Sequence, residues 1–78
     1  MTHDRITSDP RVMFGKPVIQ GTRITVELIL RKLGEGMTDA QILEHHPQLI
    51  IEDIRAAASF AADHLAAEEI LPASGSAT

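Results

Sequence analysis

The chain has 78 residues, a formal net charge of −4 and no cysteine. This length suits one domain with a small core, and the lack of cysteine excludes a disulfide framework as the added support that small domains often need. No apolar run approaches the length that spans a membrane, and the first residues are polar, so we expect a cytoplasmic protein with no membrane partner. Oligomerisation, as a homodimer, is then the expected support.

The charge is divided unevenly along the chain. Residues 1–32 contain six basic and three acidic side chains, a sum of +3, whereas residues 33–78 contain one basic and eight acidic side chains, a sum of −7. A polyanionic partner would therefore meet the first half of the chain.

Short strands and turns are predicted before residue 24. Asp9 and Pro10 predict one turn, and Gly21 predicts another at a position with positive φ. Between the turns, residues 12–14 and 18–19 are suited to extended pairing. We expect a small β element that packs on the helices or pairs with another subunit.

The first predicted helix covers residues 25–33. Thr25 is its expected N-cap, and Ile24 and Ile29 are placed to form a hydrophobic staple across that cap. The second helix begins after Thr38, which forms a capping box with Gln41. It is expected to end near His45, because the residue before a proline is pushed out of the helical region.

The third predicted helix begins at residue 50 or 51 and ends at Pro72. Leu49 and Ile54 repeat the staple pattern, but Ile50 occupies the N-cap position, where the other two helices have threonine. The stripe expected to face the core is made of Ile54, Ala58, Ala61 and Leu65, with Ala57, Phe60 and Ile70 beside it.

These elements predict a mainly α fold, a three-helix bundle in which the second and third helices form a helix-turn-helix, preceded by the short β element. The domain is expected to occupy residues 5–72, between a flexible N-terminus at residues 1–4 and a disordered tail at residues 73–78.

Four segments together resemble the domain of unknown function family 433: residues 5–10, 15–24, 36–38 and 52–57. The second is the most specific, with the sequence Gly-Lys-Pro-Val-Ile-Gln-Gly-Thr-Arg-Ile. The resemblance implies a homeodomain-like or winged-helix-like fold. It also implies the role of antitoxin in a type II toxin–antitoxin pair, similar to VapB-type antitoxins, beside a PIN-like ribonuclease.

DNA binding, including transcriptional regulation of the protein's own promoter, is a second expectation. In a helix-turn-helix the start of the second helix of the pair enters the major groove, and here that start carries Glu52 and Asp53, which phosphates repel. Binding by the free protein is therefore expected to be weak. The candidate DNA contacts are Arg23, Arg31, Lys32, Arg55 and Lys16.

Two arginines are also candidate toxin contacts, Arg23 and Arg55, because a PIN-like active site is lined by acidic residues. Arg23 lies within the specific segment, which favours an ion pair, buried or at an interface, or a phosphate contact over a merely solubilising charge. No nucleophile triad and no phosphate-binding glycine loop are visible, so no enzyme, metal or cofactor is expected. The alternative is a protein-interaction module of helix-turn-helix shape that does not bind DNA.

Overall fold

The computed structural model describes residues 4–67. Its mainly helical architecture, with a two-stranded antiparallel sheet before three helices, confirms the predicted fold class. The strands are β1 (Ile6–Thr7) and β2 (Val18–Ile19), and the helices are α1 (Val26–Gly34), α2 (Asp39–His45) and α3 (Ile51–Ala67). The predicted tail at residues 73–78 and the predicted helix end at Pro72 lie outside the described residues. None of these helices is long and apolar enough to cross a membrane.

The β element has a different first strand from the predicted one. Ile6 lies opposite Ile19 and Thr7 lies opposite Val18, so the prediction for residues 18–19 is correct. The prediction for residues 12–14 is wrong, because Met13 and Phe14 have φ angles of 49° and 58° and belong to a short 3-10 turn. Residues in this left-handed region cannot continue an extended strand.

The turn predicted at Asp9 and Pro10 is confirmed, and it runs into the segment where a strand was expected. The carbonyl oxygen of Asp9 accepts a hydrogen bond from the Val12 amide (2.8 Å), and its carboxylate accepts one from the Arg11 amide (2.9 Å). This is a side-chain-supported turn, and it uses the backbone groups that a strand would need. The partner of β2 therefore comes from the residues before the turn.

The first two helices start as their sequences predict. The Thr25 hydroxyl accepts a hydrogen bond from the Leu28 amide (3.0 Å). The Thr38 hydroxyl accepts one from the Gln41 amide (3.2 Å), while the Gln41 side chain accepts one from the Thr38 amide (2.9 Å). Each such cap contributes about 1 kcal/mol to stability. The second helix ends at His45, also as predicted.

The start of the third helix is capped by Asp53, a residue inside the helix, and not by the side chain at the N-cap position. This explains why the N-cap position can be apolar. Asp53 accepts a hydrogen bond from the Ile50 amide (3.0 Å) through one carboxylate oxygen, and from the Arg5 guanidinium (3.0 Å) through the other. Asp53 is only 4% exposed. Of the two acids that were expected to repel phosphate, only Glu52 therefore presents its charge to solvent.

The core lies where the three helices meet the β element. Ile29 of α1, Ile42 of α2 and Ala57 of α3 are each 0% exposed, and the staple residues Leu49 and Ile54 are each 4% exposed. Burial of a side chain the size of isoleucine contributes roughly 2 kcal/mol. The absence of a large side chain at Ala57 allows the neighbouring elements to approach α3 closely.

The stripe of α3 that faces the core is rotated relative to the prediction. Ala57 lies in the core, whereas Ala58 is exposed and Leu65 is 58% exposed. The physical reason for the exposed Leu65 is length. With 17 residues α3 extends about 25 Å and α1, with nine, about 13 Å, so α1 cannot cover the full length of α3.

We expect Asp53→Ala to lower the free energy of unfolding by about 2 kcal/mol. The lost helix cap accounts for about 1 kcal/mol, and the hydrogen bond to the half-exposed Arg5 for a similar amount. Urea denaturation followed by circular dichroism would measure the change. Glu52→Ala is the matched control, because it removes an exposed acid from the same helical turn and is expected to cost less than about 0.5 kcal/mol. Equal losses in the two variants would contradict this role for Asp53.

Candidate interaction surface

Arg23 is presented to solvent by a rigid turn. The turn contains Gly21, with φ of 82°, and Thr22, whose hydroxyl donates to the Ile19 carbonyl (2.8 Å) and accepts from the Ile24 amide (2.9 Å). The Ile19 amide donates in turn to the Ile24 carbonyl (2.9 Å) and closes the loop. These bonds fix the backbone on both sides of Arg23, so that its side chain projects from a defined position.

The same turn faces the connection between α2 and α3. Thr22 and Gln48 line two adjacent depressions, one of which continues towards Arg23 and the other towards Arg5 and Ile50. The two depressions together form what is called here the turn surface, whose lining includes Arg5, Gln20, Thr22, Arg23, Gln48 and Ile50 and the acidic residues Asp4 and Asp9. Sequence reasoning selected only Arg23 from this set. Gln48 could not be found because its neighbours on the surface are distant in the chain.

Charges on and around the turn surface are largely neutralised within the chain. Arg5 pairs with Asp53 at 3.0 Å, and Arg11 pairs with Asp9 at 3.0 Å. The hydrogen bonds from the Arg11 side chain and backbone hold the pKa of the Asp9 carboxyl below its usual value. Arg23 is exposed and has no ion pair with any of residues 4–67, so the buried ion pair considered for it is absent from this range.

Two of the other candidate contacts are held together on the outer side of α1. Lys16 and Arg31 both bind Glu27, at 3.0 Å and 3.2 Å. The hydrogen bond from Lys16, followed by that from Arg31, lowers the pKa of Glu27. The surface ion pairs themselves add little stability. They do engage two of the five basic residues that were predicted to contact DNA.

The remaining candidates lie apart from this cluster. Lys32 is partly buried beside His46, and Arg55 is exposed on α3. Neither has an ion pair with the described residues. Of the five predicted DNA contacts, Arg23 is the one that lines the turn surface. Within residues 4–67, no three histidine or acidic side chains are placed to hold a metal ion.

Comparison with known proteins identifies the family. The family model described as a protein of unknown function (DUF433) matches residues 6–61. The chain belongs to the DUF433 family. Uncharacterized protein y4eO of Sinorhizobium fredii (strain NBRC 101917 / NGR234) is 36% identical to it over 56 residues, which are 72% of this chain and 25% of that relative. The chain thus spans about a quarter of the relative's length. No solved structure matches the chain.

The DUF433 match includes most of the turn surface. It contains the turn that carries Arg23, the connection that carries Gln48, and Asp53, the buried carboxylate below them. The final turn of α3, with Leu65, lies outside the match. The family segment therefore contains both strands, α1, α2 and the first eleven residues of α3.

His46 is a titratable residue at the end of α2, two positions before Gln48. Its Nε2 atom is buried and has no hydrogen-bond partner among the described residues. Burial, followed by the nearby charges of Lys32 and His45, lowers the pKa of His46 from its ordinary value of 6.5. The neutral imidazole is therefore the form that the fold favours.

We expect the fold to lose stability as the pH falls below 6.5, the ordinary pKa value of histidine. The unfolded chain then binds a proton at His46 that the folded chain binds only at lower pH, so protonation favours unfolding. Above pH 6.5 the contribution of His46 to the free energy of unfolding is constant. Urea unfolding at about pH 7.5 and about pH 5.5 would measure the loss. His46→Gln should reduce this difference more than His45→Gln, its exposed neighbour, and equal effects would contradict the assignment.

Proposed function

We propose that this protein is the cytoplasmic, non-enzymatic antitoxin-like component of a type II toxin–antitoxin system, which binds a PIN-like ribonuclease toxin as a homodimer. The observation that supports this role best is Arg23, an exposed guanidinium on a rigid turn with no carboxylate partner among residues 4–67. An arginine presents a planar set of donors that matches a carboxylate with two parallel hydrogen bonds. The acidic site of a PIN-like nuclease supplies such carboxylates.

The surroundings of Arg23 favour a protein partner with an acidic pocket. Gln48 places a neutral amide on the same depression, where it can pair with the polar groups beside an acidic centre, and the one carboxylate that lines this depression, Asp9, is bound by Arg11. The fixed backbone of the turn reduces the entropy that is lost when the guanidinium binds. Insertion of Arg23 among the toxin's carboxylates would also block the access of substrate to that site.

Arg55 is the second proposed toxin contact. It is exposed and has no ion pair with the described residues, as is also true of Arg23. It lies on α3 two residues after Asp53, the residue of that helix that lines the turn surface, and therefore on a different face of the helix. A toxin that covers both arginines would contact the β element and α3 together, which is compatible with recognition by the folded surface.

Promoter binding is the second part of the proposal. The burial of Asp53 leaves Glu52 as the acid exposed in the first turn of α3. The start of this helix therefore repels phosphate less strongly than its sequence suggests. The competing function is a protein-interaction module that does not bind DNA. It is favoured by the engagement of Lys16 and Arg31 with Glu27, which leaves fewer cations for phosphates.

We expect Arg23→Ala to weaken toxin binding about 30-fold, because a buried charge-assisted contact at the centre of an interface is worth about 2 kcal/mol. Calorimetric titration of a catalytically inactive toxin, taken from the neighbouring reading frame, would measure it. Arg11→Ala is the control, since Arg11 is an exposed arginine already paired with Asp9. Unchanged affinity in Arg23→Ala, with the helical circular dichroism spectrum retained, would contradict the role of Arg23.

We expect the purified protein to shift its own promoter DNA weakly and its complex with the toxin to shift it more strongly. The measurement is an electrophoretic mobility shift at low salt, where phosphate contacts are strongest. Arg55→Ala should weaken the shift, whereas Glu52→Gln should strengthen it by removing the repulsive charge. Absence of a shift for both the protein and the complex would leave the interaction module as the function.

A further inference from the structure

Phe14 is the most exposed large apolar side chain among residues 4–67. It is 94% exposed, whereas Leu28, Ile50 and Leu65 are 37%, 46% and 58% exposed. Single apolar residues at such intermediate exposure are ordinary on a protein surface. Phe14 differs from them because it buries almost none of its ring, so the size of this side chain adds nothing to the core.

The backbone at Phe14 is also unfavourable for an aromatic residue. Met13, Phe14 and Gly15 have φ angles of 49°, 58° and 82°, all in the left-handed region. Hydrogen bonds from the Gly15 amide to the Val12 carbonyl (3.0 Å) and from the Lys16 amide to the Met13 carbonyl (3.1 Å) hold this turn. Glycine and asparagine adopt the left-handed region at lower cost than a residue with a bulky side chain. The fold of the isolated chain therefore gains nothing from an aromatic residue at position 14.

The charged residues on both sides of Phe14 are neutralised by ion pairs. Arg11 pairs with Asp9, and Lys16 pairs with Glu27, each at 3.0 Å. The turn therefore presents an aromatic ring between two neutral ion pairs. The surface that complements it is an uncharged apolar pocket, because a charged group placed against the ring would lose its hydration and gain no partner.

The turn of Phe14 borders the depression that Arg23 lines. Asp9 and Val12, which lead into the turn, line the same depression as Arg23. Two residues of chain span about 7 Å at most, so the backbone of Phe14 lies within about that distance of Val12. A partner that covers the depression at Arg23 and Val12 therefore extends to the turn of Phe14.

We propose that Phe14 is the apolar anchor of the interface with the toxin, and that it fills an uncharged apolar pocket beside the acidic site that receives Arg23. Aromatic residues and arginine are the types that contribute most to binding at protein interfaces. The hydrogen-bonded turn fixes the backbone at the ring before binding, which reduces the entropy lost on association. A glycine or asparagine at this position would suit the backbone better, but it would supply no such apolar contact. This inference rests on the proposed function and adds an apolar contact to it.

Phe14→Asn separates an interface role from a structural one, because asparagine suits the left-handed backbone and lacks the ring. We expect its midpoint of thermal unfolding, followed by circular dichroism, to be no lower than that of the wild type. We expect its affinity for a catalytically inactive toxin from the neighbouring reading frame, measured by calorimetric titration, to be about 30-fold lower. Leu65→Asn is the matched control, since Leu65 is exposed and lies outside the family segment, and its affinity should equal that of the wild type.

Wild-type affinity in Phe14→Asn, with Arg23→Ala weakened, would overturn the contact of Phe14 and leave the antitoxin role in place. A midpoint of unfolding clearly below that of the wild type would also overturn it, because the ring would then be needed by the fold. Loss of self-association in Phe14→Asn, measured by light scattering after gel filtration, would assign the ring to a contact between copies of this chain instead. A wild type that does not bind the toxin would overturn both the contact and the proposed function.

Discussion

The carboxylate of Asp53 connects the β element to the third helix, and the position of the turn surface depends on this connection. One of its oxygens accepts a hydrogen bond from Arg5 and the other from the Ile50 amide, each at 3.0 Å. A two-residue strand such as β1 has little stability without further contacts. Arg5 immediately precedes that strand, so the bond to a buried acid of α3 fixes β1 against the helices. Through β1 it also fixes β2 and the turn that follows.

The segment of residues 15–24 acts as a junction between the sheet and the first helix. The Val26 amide donates to the Pro17 carbonyl (3.0 Å), and the Ile19 amide donates to the Ile24 carbonyl (2.9 Å), so the segment begins and ends beside the start of α1. Its glycines and proline shape the backbone, and its apolar residues enter the core. The segment is thus mainly structural, and Arg23 is its exposed basic residue after the turn.

Ion pairs within the chain engage most of the basic residues of its first half. The first 32 residues sum to +3, but Arg5, Arg11, Lys16 and Arg31 all have carboxylate partners in the fold. Asp9 and Glu27 are already counted in that sum, so only the pair of Arg5 with Asp53 lowers it, to +2, and Arg23 is an exposed base of this half without a carboxylate partner among residues 4–67.

Features that depend on residues close together in the chain could be predicted from the sequence. The caps at Thr25 and Thr38, the helix end before Pro47 and the mainly helical fold class depend on hydrogen bonds and packing within a few positions, where side-chain chemistry and backbone preference act directly. The choice of Arg23 as a candidate contact also came from its local setting. Its exposure and its lack of an ion pair among residues 4–67 depend on where folding places the carboxylates of distant parts of the chain.

Tertiary structure alone decided the partner of β2, the burial of Asp53 and the side of α3 that faces the core. Ile6 and Ile19 pair across 13 positions, and Arg5 and Asp53 across 48, and no local pattern encodes such contacts. The stripe centred on Ala57 rather than Ala58 follows from how closely the neighbouring elements approach α3. The turn surface likewise exists only because folding brings the residues after β2 against the connection between α2 and α3.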